Sequence, residues 1–256
     1  MISVDSEIII VDNNSSDKSV SITKEIMHDC KIIENKTNIG FAAASNIGAE
    51  NASGELLLFL NPDVKLDSDA IAELISAYET EKTVGAISAR MRFDDTSFQA
   101  TCRQFPGLSN LLFSRGSVIS RLTGVQKTYT LPDYERNSEV PAVAGTALMI
   151  RKNLFMEIGK FDQRFFLYME DTDLCLRLTT SGMKNYFCPK SGGVHFWAEG
   201  SDPGWIKREW HHHLSMTKYF FKNSNSLLIK AVIPVLLVIN FFLLLILKPF
   251  MKKRNN

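Results

Sequence analysis

A single aspartate, Asp63, follows a strongly apolar run and is the residue of this sequence that is best placed to do chemistry. The run Leu56–Leu60 has no polar break, which is typical of a strand buried on both faces of a sheet. Pro62 ends the strand because proline cannot donate to a sheet ladder. Asp63 then stands at a strand end, where α/β sheets bind ligands. A carboxylate there can hold a hard cation, and the cation a diphosphate; a turn with a solvated aspartate is the alternative.

Two further acidic groups occur in contexts that suit binding or catalysis. Asp12 ends the apolar run Ile8–Val11 and therefore stands at a second strand end. Glu170 and Asp171 directly follow the aromatic stretch Phe165–Tyr168. Carboxylates beside apolar bulk can have raised pKa values, which suits a general base. Acidic residues are also favoured at helix N-termini by the helix dipole, so the residues alone leave both interpretations open.

These groups, together with the small-residue stretch Asn38–Ala49, occur in the order typical of a known enzyme family. Over residues 7–220 the sequence resembles the family-2 glycosyltransferases of the GT-A fold, and within them the bacterial branch that includes rhamnosyltransferases for cell-surface polysaccharide. The resemblance implies inverting transfer of a sugar, with rhamnose favoured by the branch. The donor would be a dTDP- or UDP-linked nucleoside-diphosphate sugar, and the acceptor a glycan or a lipid-linked glycan. It also implies a place at the bacterial inner (cytoplasmic) membrane, with the catalytic domain on the cytoplasmic side.

The resemblance also assigns roles to individual residues. Asp12 would accept the N3–H of uracil or thymine, which cytosine lacks; a local turn with Asn13 and Ser15 is the alternative. Asp171 would take the proton from the acceptor hydroxyl, with Glu170 as the substitute candidate. The small residues after Asn38 would shape the donor pocket, although tight packing of a helix on the sheet also explains its alanines. The residues predicted to contact the nucleotide are Asp12, Asn14, Asn38, Gly40 and Asn46.

A divalent metal, Mg²⁺ or Mn²⁺, is the cofactor that the resemblance implies. Asp63 is the main predicted ligand, and Asn61 offers an amide oxygen where relatives often carry a first aspartate. His195 is a further candidate ligand, although packing alone would also explain it. Such an ion keeps several waters and takes substrate phosphates as remaining ligands. The histidines 211–213 point in different directions on a helix and are interpreted as a solvated or membrane-proximal segment.

An alternation of strands and helices must position these residues. Alternation of this kind predicts an α/β fold of the GT-A type, with a Rossmann-like, mainly parallel sheet and helices on both faces. The predicted strands cover residues 7–11, 31–34, 56–60, 84–91 and 143–150, and the predicted helices 16–28, 41–53, 68–81, 152–158 and 171–180.

The predicted glycosyltransferase domain covers residues 1–222. Its nucleotide-binding half comprises residues 1–91 and its acceptor-side half residues 92–222. Relatives normally begin with one more strand and helix before the Asp12 strand, so the resemblance implies an N-terminally truncated domain. Such a domain would expose an apolar sheet edge, and we expect it to be less stable and to bind donor less well than a complete relative.

The segment 227–247 is apolar apart from Lys230, Pro234 and Asn240. At about 1.5 Å per residue, a helix of this length just spans a hydrocarbon core of about 30 Å. We predict a transmembrane or membrane-interface segment, followed by the basic tail 248–256; a buried core helix is the alternative. A single crossing would carry that tail across the membrane against the positive-inside tendency. A hairpin bent near Pro234, or a helix lying in the interface, would avoid this conflict.

Composition limits the partners and leaves two other functions open. The net charge of +1 gives no field that favours nucleic acid, and the four scattered cysteines fit a reducing compartment. One alternative is a non-catalytic, membrane-associated remnant that binds nucleotide sugar. The other is a nucleotidyltransferase, which would normally show a glycine-rich, basic phosphate loop near the N-terminus; the sequence shows none.

Overall fold

The chain forms an α/β fold whose strands come from both halves of the sequence. The computed structural model describes residues 5–80, 83–107, 117–123, 133, 135–196 and 204–247, and the predicted basic tail 248–256 lies outside them. The strands are β1 (Ile9–Asp12), β2 (Lys31–Glu34), β3 (Leu56–Leu60), β4 (Val64–Leu66), β5 (Val84–Arg92), β6 (Phe98–Gln99), β7 (Cys102–Arg103), β8 (Ser138–Val140), β9 (Ala142–Val143), β10 (Ala147–Arg151) and β11 (Lys184–His195).

The helices match the predicted ones, including the one expected over residues 227–247, within a few residues at their ends. Two further helices, over residues 118–123 and 205–223, occur where no bounds were predicted. The helices are α1 (Ser19–Ile26), α2 (Phe41–Asn51), α3 (Ala70–Thr80), α4 (Val118–Thr123), α5 (Lys152–Glu157), α6 (Glu170–Thr180), α7 (Trp205–Asn223) and α8 (Leu227–Leu247).

The main sheet is mixed rather than mainly parallel, which corrects the prediction. Its strands lie in the order β3-β10-β5-β11-β4, with β6 paired to β5 and β8 to β11. Among these described pairings only β5 with β11 is parallel, because β10 returns from the second half of the chain and inserts antiparallel between β3 and β5. The parallel pair β1–β2 and the antiparallel pair β7–β9 form two separate small sheets.

Helices cover both faces of the main sheet, as predicted. Apolar side chains of β10 alternate between the two faces of the sheet, so each face has an apolar cluster that helices cover. Leu148 and Ile150 pack in the cluster that includes residues of α2, α5 and α6, whereas Met149 packs with residues of α3. The helix α1 differs from the others, since none of its side chains is buried and Ile26 is 73% exposed.

A third apolar cluster joins the last two helices to the segment before α6. Phe165 and Met169 of that segment pack with Met216, Tyr219 and Phe220 of α7, and the cluster continues to Ile233 and Leu237 of α8. The helix α7 therefore lies against the segment that precedes Glu170 and Asp171.

A buried ion-pair network fastens α7 to α6. Asp173 is fully buried, and its two carboxylate oxygens lie 2.6 Å from Lys222 Nζ and 2.8 Å from Arg177 Nε. Lys222 also pairs with Asp162 at 2.7 Å. The ammonium of Lys222 and the guanidinium of Arg164 hold the pKa of Asp162 well below its usual range against the opposing effect of burial. Asp173 therefore has an architectural role.

We expect Lys222→Met to lower the free energy of unfolding by about 2–3 kcal/mol, because it leaves the Asp173 carboxylate buried beside a single cation. Lys218→Met is the matched control on the same helix. Within the residues that the structure describes, its ammonium donates only to the carbonyl oxygen of Arg164, so its loss should cost less than about 1 kcal/mol. Urea unfolding of both variants measures the difference, and equal effects would show that the network contributes nothing.

Candidate active site

The connection between β3 and β4 carries the predicted metal ligands. Its backbone is tied to the start of β10, since the Asn61 N–H donates to the Thr146 carbonyl oxygen at 3.0 Å. The carbonyl oxygen of Asp63 accepts from the N–H of Phe196 at 2.8 Å, just after the end of β11. The prediction that Asp63 lies at a strand end is therefore confirmed, and the neighbouring strand end is that of β11.

His195 contacts Asp63 directly. The two partners are Nε2 of His195 and Oδ1 of Asp63, 3.1 Å apart, with side chains only 4% and 12% exposed. On the other side of the ring, Nδ1 lies 2.9 Å from Oε1 of Gln99 in β6. Because an amide oxygen only accepts, Nδ1 carries a hydrogen and donates it to Gln99. Gln99 thereby orients the ring with Nε2 towards Asp63.

The donor set of Asp63 and His195 fits a divalent ion of the Mg²⁺ or Mn²⁺ kind. With Nδ1 protonated, the lone pair of Nε2 and the Asp63 carboxylate face each other, and a cation or a proton between them relieves the repulsion. No group of three or more His, Cys, Asp or Glu side chains suited to a metal occurs among the described residues. Two protein ligands completed by phosphates and water are typical of these ions.

The segment Phe165–Met169 approaches the site in a strained backbone conformation. Tyr168 and Met169 have φ values of 68° and 72°, which side chains other than glycine rarely adopt. The carbonyl oxygen of Phe166 accepts from the Phe41 N–H at 2.9 Å. A Cβ on Gly40 would lie 2.5 Å from that same oxygen, so only glycine fits there.

Both carboxylate oxygens of Asp171 accept hydrogen bonds from neighbouring residues. Its Oδ2 accepts from the Gly145 N–H at 3.0 Å and lies 3.3 Å from Nη1 of Arg103 in β7. Its Oδ1 accepts from the N–H and the hydroxyl of Thr172. The side chain of Arg103 is 31% exposed against 7% for Asp171, so the ion pair has one partner open to solvent.

Glu170 lies in a different environment from its neighbour. Burial raises the pKa of Glu170 to about 8, and the negative charge of Asp171 acts in the same direction. Its Oε2 is buried without a hydrogen-bond partner within the described part of the chain. Glu170 therefore holds its proton at neutral pH.

His211 and His212 of α7 pack against the Phe165–Met169 segment, and His213 contacts Asn240 of α8, which corrects the interpretation of the three histidines as solvated. His211 stacks on Phe166 with ring centroids 4.7 Å apart, and His212 lies 5.9 Å from Tyr168 in an edge-on arrangement. Burial lowers the pKa of His212 to about 4, so the ring is neutral. The three rings point in different directions, as the helical spacing predicts, and each contacts another residue of the protein.

The structure contradicts one of the predicted nucleotide-binding residues, and the others stay predictions. Asn46 is wrongly predicted, because its amide is 1% exposed and bonds both the N–H and the carbonyl of Phe161, which leaves nothing for a nucleotide. Asp12 accepts from the Ser15 N–H at 3.1 Å, so the turn that was its alternative role is present. Asn38 accepts from the Gly40 N–H at 3.0 Å, and Asn14 has a φ of 65°.

Backbone contacts connect the separate parts of the site. Asn13, next to Asp12, donates to the carbonyl oxygen of Gly40, and Gly40 touches Phe166. Gly145 and Thr146 contact Asp171 and Asn61 respectively. The end of β1, the β3–β4 connection and the start of α6 therefore meet in one region. Gln99 and Arg103, which sequence reasoning missed, lie on two-residue strands in a stretch that gives no periodic signal.

Known proteins resemble this chain in sequence and in fold. The rhamnosyltransferase WbbL of Escherichia coli (strain K12) is 28% identical over 169 residues, which are 65% of this chain and 61% of that protein. An N-acetylglucosaminyl-diphospho-decaprenol L-rhamnosyltransferase of Mycobacterium tuberculosis is 27% identical over 218 residues, which are 77% of this chain and 69% of that protein. The chain thus spans about two thirds of the length of these relatives.

A solved structure shows the same fold at low identity. The mannosyltransferase PcManGT of Pyrobaculum calidifontis, in complex with GDP-Man and Mn²⁺, superposes with a TM-score of 0.54 at 16% identity, over 97% of this chain and 67% of that one. The sequence profile described as glycosyl transferase family 2 matches residues 3–159, more than half of the sequence. The chain therefore belongs to glycosyl transferase family 2 and has the GT-A fold.

Proposed function

We propose that the chain transfers a sugar from a nucleoside-diphosphate sugar to a glycan or lipid-linked acceptor, with inversion at the anomeric carbon. The observation that carries this proposal is the contact of Asp63 with His195 near the Glu170–Asp171 pair. Gly145 and Thr146 link the two groups, since Gly145 bonds Asp171 and Thr146 bonds Asn61. Family membership supports it, as do the rhamnosyltransferase names of two relatives. Rhamnose on a dTDP or UDP carrier is the proposed donor.

The residues of the site would divide the reaction between them. The acceptor hydroxyl forms a bond to the anomeric carbon, its proton passes to the Asp171 carboxylate, and the electron pair of the broken carbon–oxygen bond leaves with the nucleoside diphosphate. Asp63 and His195, with Asn61 beside them, would hold Mg²⁺ or Mn²⁺. When bound, such an ion supplies positive charge that stabilises the departing diphosphate. Asp12, Asn14, Asn38 and Gly40 would form the nucleotide wall.

A lipid-linked acceptor would place the chain at the bacterial inner membrane, with the catalytic domain on the cytoplasmic side. In the described part of the chain, α8 is the helix long and apolar enough to cross a membrane, and only 22% of its apolar 18-residue stretch is buried. That low burial argues against the core-helix alternative. The apolar helix and the glycan-synthesis relatives together support membrane association.

We expect Asp171→Asn to lower the rate of sugar transfer by at least about 10²-fold while donor binding changes little, because a general base is lost. Glu170→Gln should have the smaller effect. The assay measures nucleoside diphosphate released from a panel of sugar nucleotides, with the exposed Asp94→Asn as the control. Full activity of Asp171→Asn would contradict the assignment, and release of pyrophosphate would instead indicate nucleotidyl transfer.

We expect Glu170→Gln to stabilise the protein increasingly as pH rises from 5 to 8, by roughly 1–3 kcal/mol at pH 8. In this range the unfolded chain has released the Glu170 proton while the folded protein retains it, so the stability of the parent falls with rising pH. Thermal melts at three pH values measure the effect. The exposed Glu157→Gln on α5 is the control, and parallel pH dependence of all three proteins would contradict the burial argument.

We expect Asp63→Asn and Gln99→Met each to weaken Mn²⁺ binding in the presence of UDP by about 10–100-fold, since one removes a ligand charge and the other the group that orients His195. Electron paramagnetic resonance titration of free Mn²⁺ gives this affinity without any turnover. Gln163→Met, an exposed glutamine near α6, is the control. Unchanged affinity in both test variants would place the metal elsewhere.

A further inference from the structure

The helix α8 has an apolar face that points away from the protein. Ile233 and Leu244 are fully buried on its inner side, against α7 and α4. Its two polar side chains, Lys230 and Asn240, fall on this same inner stripe by helical spacing. The outer stripe repeats at intervals of three and four residues and contains Leu228, Val232, Val235, Ile239, Phe242 and Ile246, all exposed.

This arrangement is the reverse of a helix on the surface of a soluble protein, which turns its polar side to water. Phe242 and Ile246 are 58% and 62% exposed with no polar residue beside them on the stripe. Each square ångström of such surface costs roughly 25 cal/mol in water. The outer stripe of α8 therefore requires an apolar medium.

The helix α7 extends the apolar surface. Ile206, Trp210, Leu214 and Phe221 are exposed, and their spacing places them on one side of that helix. The ring of Trp210 lies 5.4 Å from that of Phe241 of α8, so this side of α7 lies next to α8. We call the exposed apolar residues of both helices the lipid-docking surface.

A polar contact fixes the middle of α8 to the protein. Asn240 donates through Nδ2 to Nε2 of His213 at 2.8 Å, and its Oδ1 accepts from the Val118 N–H at 3.0 Å. His213 in turn donates through Nδ1 to the carbonyl oxygen of Glu209 at 2.7 Å. Both ends of the Asn240 amide are thus used by α7 and α4, which holds α8 along the domain.

The same contact makes a membrane crossing by α8 costly. A bilayer around α8 would also enclose α7, which carries Lys207, Arg208, Lys218 and Lys222. Lys222 and Lys218 are bonded to the catalytic domain through Asp173 and the carbonyl oxygen of Arg164. Charges at the bilayer centre cost at least about 2.5–3.5 kcal/mol each on insertion scales. The docked position of α8 therefore favours a helix that lies along the membrane surface over one that crosses the bilayer.

We propose that the lipid-docking surface binds the face of an anionic membrane, with α8 in the plane of the lipid headgroups and not across the bilayer. Charge complementarity favours anionic lipid, since the exposed Lys207 adjoins the apolar stripe of α7 and the sequence continues past α8 with Lys248, Lys252, Lys253 and Arg254. The proposal builds on the membrane association proposed above and is independent of glycosyl transfer.

Flotation of the full chain with lipid vesicles tests the surface. We expect the chain to float with vesicles of phosphatidylcholine and phosphatidylglycerol, and less with phosphatidylcholine alone. The double variant Phe242→Glu with Ile246→Glu should bind at least about ten-fold more weakly, since two apolar contacts are replaced by anions. Ile22→Glu with Ile26→Glu, on exposed positions of α1, is the matched control and should bind like the parent.

Two outcomes of flotation would overturn the proposal. One is vesicle binding by the α8 double variant equal to that of the parent. The other is no vesicle binding by the parent combined with a dimer, in analytical ultracentrifugation, that the double variant converts to monomer, because a second copy would then cover the surface. Melting temperatures of both double variants close to that of the parent show that each remains folded.

Labelling of the chain end tests the in-plane orientation. In Asn256→Cys bound to the outside of vesicles, a membrane-impermeant maleimide should label the new thiol as fully as in detergent, with the parent as the background. Protection of the thiol by intact vesicles would mean that α8 crosses the bilayer, which would overturn the in-plane position. Sugar transfer measured on the same samples separates a failure of this proposal from a failure of the proposed function.

Discussion

Two consecutive residues directly before β10, Gly145 and Thr146, hold the acidic groups of this protein together. The Gly145 N–H donates to the Asp171 carboxylate, and the Thr146 carbonyl oxygen accepts from the Asn61 N–H beside Asp63. This is possible because β10 lies antiparallel between β3 and β5. The first residue of β10, Ala147, lies opposite the last residue of β3, Leu60. The two residues before Ala147 therefore contact both the connection that carries Asp63 and the carboxylate of Asp171.

The two buried carboxyl groups Asp173 and Glu170 differ in how the cost of their burial is compensated. Asp173 is surrounded by Lys222 and Arg177, which compensate the cost of taking its carboxylate out of water. Glu170, three residues earlier, has no such partner for Oε2 among the described residues, and burial raises its pKa instead. One helix turn thus contains a carboxylate that stabilises the fold and a carboxyl group whose proton affinity suits chemistry.

The helix α7 connects the apolar surface to the Phe165–Met169 segment. His211, His212 and Ser215 contact Phe166, Tyr168 and the carbonyl oxygen of Leu167 on one side. His213 and Trp210 contact Asn240 and Phe241 of α8 on another. The left-handed backbone at Tyr168 and Met169 is held by this packing. The exposed apolar surface and the residues before Asp171 therefore contact the same helix.

The sequence by itself determined the α/β class, the strand β3, the helices that follow it, and the acidic residues at their ends, because these features depend on local apolar patterns and on proline and glycine. It also determined that residues 227–247 are apolar enough for a membrane. Only the tertiary structure decided the mixed strand order, the use of Asn46 by Phe161, the roles of Gln99 and Arg103, and the packing of the three histidines. Each of these depends on contacts between residues far apart in the chain, which leave no periodic trace in the sequence.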